Sequence, residues 1–306
     1  MKFSFEYEER YNRTRRTLIL VIVSALMIFA VGGIILFSVL VGREERVQEG
    51  VQQSAAAENT NEILVSDRYL GQNRIPRYEI PLNTYTPESF LKGADGMIRY
   101  EDAAIGVDVS DYQHEIDWAR AKAAGVSFAI LRAGYRGFTE GSLVEDGYLK
   151  TNLAGASAQG IDLGLYFFSQ ATSEEEAREE ARYVVELAGD YELVYPIVYD
   201  WEQITVHSDE VTPRTDSCSP EEITAFTKAF CEEIKALGHK PAYYTNKTMG
   251  YNTYHLEDLQ EYDLWYAEYQ DIPSFYYNFD IWQYTEAGVV DGIPGHVDLN
   301  VSLKKY

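Results

Sequence analysis

From residue 105 onward, the sequence alternates between short stretches rich in β-branched and aromatic residues and longer amphipathic stretches. The short stretches are typical of buried β-strands and the longer ones of α-helices, and their alternation predicts parallel strands joined by helical crossovers. The predicted strands span 105–110, 127–135, 163–169, 196–202, 240–246, 263–267, 279–285 and 297–300. The clearest predicted helices span 116–124, 148–159, 173–187 and 219–237. Eight strands and about five helices predict an α/β fold, a modified β/α barrel over residues 105–306.

The strand Pro196–Glu202 is the first candidate for catalysis. Side chains alternate along a strand, so Asp200 and Glu202 share one face and Trp201 lies on the other, with the two acidic Cα atoms about 6–7 Å apart. Each negative charge disfavours ionisation of the other, so one acid can keep a proton near neutral pH, as a glycosidase needs. From this stretch alone, a solvated strand end with two ordinary acids is the alternative.

Other predicted strands also carry a charged residue at or near their carboxyl end: Asp108, Arg132 and Asp298. In β/α barrels these ends converge on one mouth, where catalytic residues lie. Unpaired acids inside a barrel would be costly, so the convergence favours an active site over a surface feature. Arg132 is a candidate for substrate binding, and it pairs either with a site carboxylate or in a structural ion pair.

Four aromatic residues near strand ends are candidates for stacking on sugar rings: Tyr166, Tyr244, Trp265 and Trp282. Packing in the hydrophobic core is the alternative for each of them.

The chain has a formal net charge of −23, and nearly all of its acidic excess falls after residue 104. Contacts to phosphate need clustered Lys and Arg, so this composition argues against a nucleic-acid partner. The two cysteines, Cys218 and Cys231, and the five histidines form none of the spacing patterns of metal sites. We therefore predict no metal and no cofactor.

Residues 17–41 form an apolar run without a charge. At about 1.5 Å per residue this run can span a hydrocarbon core of about 30 Å, and it is longer than the ~7–15-residue apolar region of a signal peptide. A cleaved signal peptide and a buried helix are the alternatives. More basic residues precede the run than closely follow it, so the positive-inside rule predicts a single-pass protein of the cell membrane. Residues 1–16 would be its cytoplasmic tail, and the catalytic domain would be extracellular.

Residues 42–104 lack a sustained apolar pattern and contain three prolines. They are predicted to form an extracellular tether in which local structure can form near the domain edge.

Seven motifs in residues 105–306 resemble, in the same order, those of glycoside hydrolase family 25, the Chalaropsis-type lysozymes. They are Gly106–Ser110 with Gln113 and Ile116–Trp118, Phe128–Gly134, Gly164–Phe168, Tyr199–Glu202, Leu264–Ala267, Trp282–Tyr284 and Val297–Asn300. Each motif alone is weak, whereas the ordered set is specific. The family usually has Gly after the residue that matches Gln113, and this chain has His114, which indicates a different loop. Residues 1–104 lie outside the resemblance.

The resemblance implies a barrel of five helices and eight strands that hydrolyses the β-1,4 bond between N-acetylmuramic acid and N-acetylglucosamine in peptidoglycan. It implies that Glu202 is the general acid. Asp200 would be a nucleophile or would orient the acetamido group of the substrate, and Asp108 and Asp298 would line and tune the site. Tyr166 falls in a matching motif and is therefore the first candidate for stacking on sugar.

Two other functions remain open. A non-catalytic wall-binding module on a membrane anchor would be expected to have a damaged set of acids, and here all four are present. An N-acetylglucosaminidase would cleave the other glycosidic bond of the same glycan strand.

Overall fold

The computed structural model describes residues 61–206 and 211–306. The predicted cytoplasmic tail, the membrane-spanning run 17–41 and the start of the predicted tether lie outside the described residues. Within the described ranges, no helix is long and apolar enough to cross a membrane. The longest helix there, Pro220–Ala236, has 17 residues and carries charged side chains, whereas a membrane-spanning helix needs about 20 mostly apolar residues. The predicted single-pass membrane localisation is corrected on this finding.

Thirteen strands and six α-helices make up the described part of the chain. In chain order the strands are β1 (Glu62–Asp67), β2 (Gly71–Pro76), β3 (Phe90–Lys92), β4 (Ile98–Tyr100), β5 (Ala104–Val109), β6 (Phe128–Arg136), β7 (Leu143–Glu145), β8 (Asp162–Ser169), β9 (Ile197–Trp201), β10 (Pro241–Asn246), β11 (Asp263–Ala267), β12 (Ile281–Gly288) and β13 (Val297–Ser302). The helices are α1 (Trp118–Ala123), α2 (Leu149–Ala158), α3 (Glu174–Ala188), α4 (Pro220–Ala236), α5 (Lys247–Asn252) and α6 (Leu256–Leu259).

Eight of these strands close into a barrel in the order β5-β6-β8-β9-β10-β11-β12-β13, and β13 pairs with β5 to complete the circle. Neighbouring strands are parallel from β5 to β12, whereas β13 runs antiparallel to both of its neighbours. The short strand β7 pairs antiparallel with β6 outside the circle. The predicted modified β/α barrel with eight strands is therefore confirmed, with six described helices where about five were predicted.

Helix starts follow the capping residues in the sequence. The backbone N–H of Glu176 donates to Oγ of Ser173, the residue before α3. Ser219 and Glu222 form a reciprocal capping box at the start of α4, with Pro220 in the first turn. Each cap satisfies backbone N–H groups that have no partner within the helix.

The strand side chains form two layers. One layer packs between the sheet and the helices and includes Leu131, Leu165 and Tyr199. The other fills the barrel interior and includes Val198 and Trp265. This separation follows from the two-residue period of a strand, and it decides which polar side chains lie inside the barrel.

Residues before the barrel form two antiparallel hairpins, β1–β2 and β3–β4. Their buried apolar side chains join the outer layer of the barrel, and the ring of Phe90 packs edge-on against Trp282 with 5.2 Å between centroids. Residues 61–306 form one compact unit. The segment 61–104 was predicted to be a tether with local structure near the domain edge. In the structure it packs against the barrel through a few buried apolar residues.

Candidate active site

The alternation of side chains along β9 positions the two central acids. Val198 belongs to the interior layer of the barrel, whereas Tyr199 and Trp201 belong to the outer layer. At two-residue steps from Val198, Asp200 and Glu202 therefore follow on the interior side at the carboxyl end of the strand. Asp200 is 6% exposed, and Glu202 lies just beyond the last residue of β9 and is half-buried.

The other predicted site residues reach the same interior by the same alternation. Asp108 on β5 lies directly opposite Asp298 in the antiparallel pairing of β5 with β13. Tyr166 on β8 and Tyr244 on β10 belong to the interior layer or pack against it. Four acids from three strands therefore share the interior face near one end of the barrel.

Of the four acids in the site, Asp108 accepts the most hydrogen bonds from side chains. Its Oδ2 accepts from Nε2 of Gln283 at 2.9 Å and from Nδ2 of Asn300 at 2.7 Å. Burial, together with the negative charge of Asp298, raises the pKa of Asp108 well above its usual value, although the two amide donors oppose the shift. Gln283 and Asn300 were not among the predicted site residues. The signal for them was available, because each lies an even number of residues from an interior side chain of its own strand.

Asp200, unlike Asp108, has a buried carboxyl oxygen, Oδ1, that no hydrogen-bond donor among the described residues reaches. Burial and the negative charges of Glu202 and Asp108 raise the pKa of Asp200 well above its usual value, and only the charge of Arg132 acts against this shift. This carboxyl group is therefore enclosed without the partners that a buried polar group normally has.

Glu202 borders an open groove of about 530 Å³ at the end of the barrel. Its backbone carbonyl accepts from Nε2 of Gln170 at 2.8 Å, and Oε1 of Gln170 accepts from the hydroxyl of Thr215 at 2.9 Å. Gln170 and Thr215 are both buried and were not predicted. Burial and the negative charge of Asp298 raise the pKa of Glu202, which favours a protonated carboxyl group facing the groove.

Asp298 completes the acid cluster. Burial, with the charge of Glu286, raises its pKa to about 6. Within residues 61–206 and 211–306, no group of three or more His, Cys, Asp or Glu side chains is arranged to hold a metal ion.

Arg132 makes its ion pairs with two acids outside this cluster. Its Nε donates to Asp146 Oδ2 at 2.8 Å, and its Nη2 donates to Asp111. Arg132 was predicted to pair either with a site carboxylate or in a structural ion pair, and in the structure it pairs with acids outside the site. The charge of Arg132 nevertheless acts on Asp200 and lowers its pKa.

The four predicted aromatic residues separate into two groups. Trp265 is 1% exposed and lies edge-on to Tyr166 and Tyr244, with centroids 5.9 and 5.1 Å away. Its Nε1 donates to Asn300 Oδ1 at 2.8 Å. Because Asn300 also donates to Asp108, the cluster of these three rings is connected to the acids. Trp282 is fully buried in the outer layer, because it is one residue out of phase with the interior. The structure does not bring Trp282 to the acids.

Tyr269 is an aromatic residue at the site that was not predicted. It follows β11, is 46% exposed, and its hydroxyl donates to Gln283 Oε1 at 3.2 Å. Burial of the hydroxyl and the charges of Asp298 and Asp108 raise its pKa. Tyr269 is thus connected through Gln283 to Asp108.

Comparison with known proteins identifies a family and similar sequences. The model of glycosyl hydrolases family 25 matches residues 107–293. Lysozyme M1 of Streptomyces globisporus is 24% identical over 212 residues, which cover 64% of this chain and 66% of that one. The uncharacterized protein YegX of Escherichia coli strain K12 is 28% identical over 207 residues, covering 64% and 68%.

Solved structures share the fold. The autolysin LytC of Streptococcus pneumoniae superposes with a TM-score of 0.58 at 23% identity, covering 79% of this chain and 58% of that one. A family 25 glycosyl hydrolase of Bacillus anthracis gives 0.55 at 22% identity, covering 67% and 92%. The chain therefore spans less than two thirds of the pneumococcal autolysin. Since the family model covers more than half of the chain, and the fold is that of solved members, the protein belongs to glycosyl hydrolase family 25.

Proposed function

We propose that this protein hydrolyses the β-1,4 bond between N-acetylmuramic acid and N-acetylglucosamine in peptidoglycan, with Glu202 as the general acid. The observation that carries the proposal is the position of Glu202. Glu202 lines the open groove, is half-buried and has a raised pKa, whereas Asp108 and Asp200 are 5% and 6% exposed. A raised pKa favours the protonated form, and a protonated acid at the groove can deliver its proton to a substrate.

In this mechanism, Glu202 donates its proton to the glycosidic oxygen while the bond to the anomeric carbon breaks. The carboxylate that remains then takes a proton from the water that attacks the sugar. Proton transfer from a positioned acid is worth about 10²–10⁴ in rate.

When Glu202 is protonated, its charge no longer raises the pKa of Asp200, so Asp200 is the member of the pair that ionises. In that form Asp200 stabilises the positive charge that develops at the anomeric carbon, either as a nucleophile or by orienting the acetamido group of the substrate. Its unpartnered Oδ1 supports the second role, because an acetamido N–H is a donor that this atom lacks in the described structure. Asp108 and Asp298 act on the reaction through their charges on this pair.

The relatives support peptidoglycan as the substrate. One of them is named a lysozyme, and the pneumococcal autolysin LytC was solved in complex with a synthetic peptidoglycan ligand. Glycan strands of peptidoglycan also offer the N-acetyl groups that the role of Asp200 requires.

The test is to digest purified peptidoglycan with the full-length protein and to identify the new reducing ends. We expect N-acetylmuramic acid ends from the unmodified protein, and a rate at least about 10²-fold lower from Glu202→Gln. Glu192→Gln, which changes an exposed acid before β9, is the matched control and should leave the rate unchanged. N-acetylglucosamine ends would instead identify a glucosaminidase. A folded protein that sediments with the wall but makes no ends would be a binding module.

A further inference from the structure

The turn of the first hairpin lies beside the candidate catalytic acid. Tyr69 and Leu70, between β1 and β2, line the same open groove as Glu202. Both residues precede the range 107–293 that the family model matches. This wall of the groove is therefore an addition to the part of the chain that carries the family resemblance.

Several contacts, most of them partly buried, hold the turn in place. Oδ1 of Asp67 accepts from the backbone N–H groups of Tyr69 and Leu70 at 2.8 and 2.9 Å, and its Oδ2 pairs with Nζ of Lys247 at 2.7 Å. Lys247 also pairs with Glu268 at 2.7 Å, and the hydroxyl of Tyr69 donates to the carbonyl of Ile272 at 2.8 Å. A wall fixed in this way needs little further ordering when a ligand binds, which favours affinity.

The chemistry of the groove suits an uncharged sugar. Tyr69 and Leu70 remain 41% and 62% exposed and offer aromatic and apolar surface. Further along the groove, the lining includes amide side chains, namely Gln203, Asn246 and Gln270. Amides both donate and accept hydrogen bonds, as hydroxyl and acetamido groups require, and a mostly apolar wall with a few polar groups is typical of ligand sites.

The charges of the groove exclude an anionic occupant. Lys247 is the basic residue of the described lining, and it is already paired with both Asp67 and Glu268. Glu202 and Glu268 add negative charge to the same lining. An anionic group would therefore meet repulsion without a free cation.

We propose that the turn Asp67–Leu70 forms one wall of a glycan subsite next to Glu202, which binds a neutral N-acetylhexosamine ring that packs against Tyr69. The identity of the ligand as part of the cleaved glycan strand rests on the proposed function. The subsite itself rests on the groove, its fixed wall and its charges.

The test measures binding separately from cleavage. Binding of the N-acetylglucosamine pentamer is titrated calorimetrically to full-length protein carrying Glu202→Gln, so that hydrolysis does not intervene. Adding Tyr69→Ala should weaken binding about tenfold, equivalent to about 1.4 kcal/mol. Tyr69→Phe, which keeps the ring and loses only the hydroxyl, should bind within about twofold of the parent. Leu64→Ala, an exposed change on β1 away from the groove, should leave the dissociation constant unchanged.

A second variant distinguishes a loss of binding from a loss of folding. Leu70 is more exposed than Tyr69, so Leu70→Ala should leave the melting temperature unchanged and weaken pentamer binding about two- to threefold through lost apolar contact. Pentamer binding that is unchanged in Tyr69→Ala and Leu70→Ala, or absent from the parent, overturns the subsite even if the unmodified protein cleaves peptidoglycan. Conversely, a protein that makes no muramic acid ends but binds the pentamer through Tyr69 would refute the proposed function and keep the subsite.

Discussion

At the scale of single residues, the acids of the site differ mainly in their hydrogen-bond partners. Oδ2 of Asp108 accepts from two amide groups, whereas Oδ1 of Asp200 has no donor among the described residues. Glu202 borders the groove and can reach a substrate. Acids in such different surroundings are suited to different protonation states, which supports a division of roles among them.

The amide of Gln283 offers a test of this arrangement. In Gln283→Met, Asp108 loses one of its two side-chain donors and the hydroxyl of Tyr269 loses its acceptor. We expect the free energy of unfolding to fall by about 1–3 kcal/mol, because a buried polar group left without a partner carries a cost of this size. Urea denaturation measures it. Gln260→Met, at an exposed position, should change stability by no more than about 0.5 kcal/mol. Equal costs for both variants would contradict the structural role of Gln283.

The alternation of side chains along a strand predicts some residues of the site from the sequence, whereas contacts between loops do not follow from it. The two-residue period of β9 predicted that Asp200 and Glu202 share a face, and they do. The same period, applied to β12, would have placed Trp282 opposite Gln283, so that only one of them could lie inside the barrel. Trp282 was chosen as a site candidate only because it is an aromatic residue near a strand end. The pairing of Arg132 with Asp111 and Asp146 depends on loops after two other strands, which no local pattern encodes.

At the scale of elements, the long amphipathic helices and buried strands were predicted to within three residues at each end. The helix predicted at 173–187 is Glu174–Ala188, and the strand predicted at 127–135 is Phe128–Arg136. The hairpins before the barrel were predicted only as local structure near the domain edge, because β3 and β4 have three residues each and no apolar pattern continues from β1 into β2. Their few buried apolar residues gain partners only once the barrel exists, so their structure depends on tertiary contacts.

The docking of the first hairpin depends on Lys247. In Lys247→Met, the side chains of Asp67 and Glu268, which are 3% and 9% exposed, lose their shared cation. Removing one partner of a buried ion pair costs about 3–5 kcal/mol, and we expect a loss of this size in urea denaturation. Pentamer binding should weaken as well, because the ion pair of Lys247 holds Asp67, and Asp67 holds the turn that carries Tyr69.

An exposed ion pair provides the control for this prediction. Lys92 pairs with Asp271, and both side chains are more than half exposed. Lys92→Met should therefore cost less than about 1 kcal/mol. If the two lysine variants were equally stable, the turn would be held by contacts other than the ion pairs of Lys247.

At the scale of the whole molecule, the acidic composition argued against a nucleic-acid partner, but it did not predict which acids are buried. Asp298 in the site and Asp280 just before β12 are both half-buried. Burial raises the pKa of each to about 6, assisted by the charge of Glu286 on Asp298 and of Asp263 on Asp280. Asp67 differs, because hydrogen bonds from Lys247 and two backbone amides overcome burial and lower its pKa.

These shifts predict how stability depends on pH. An Asp in the unfolded chain has a pKa of about 3.9, so between pH 4 and pH 6 the folded state binds more protons than the unfolded state. The free energy of unfolding must then fall as pH rises through this range. The stabilisation from Asp298 and Asp280 is fully present below about pH 4 and is lost above pH 6, whereas the contribution of Asp67 is lost only as pH falls below about 4. We expect a higher melting temperature at pH 5 than at pH 8 by calorimetry. Asp298→Asn should make the difference smaller, and a melting temperature that rises from pH 5 to pH 8 would contradict the burial of these acids.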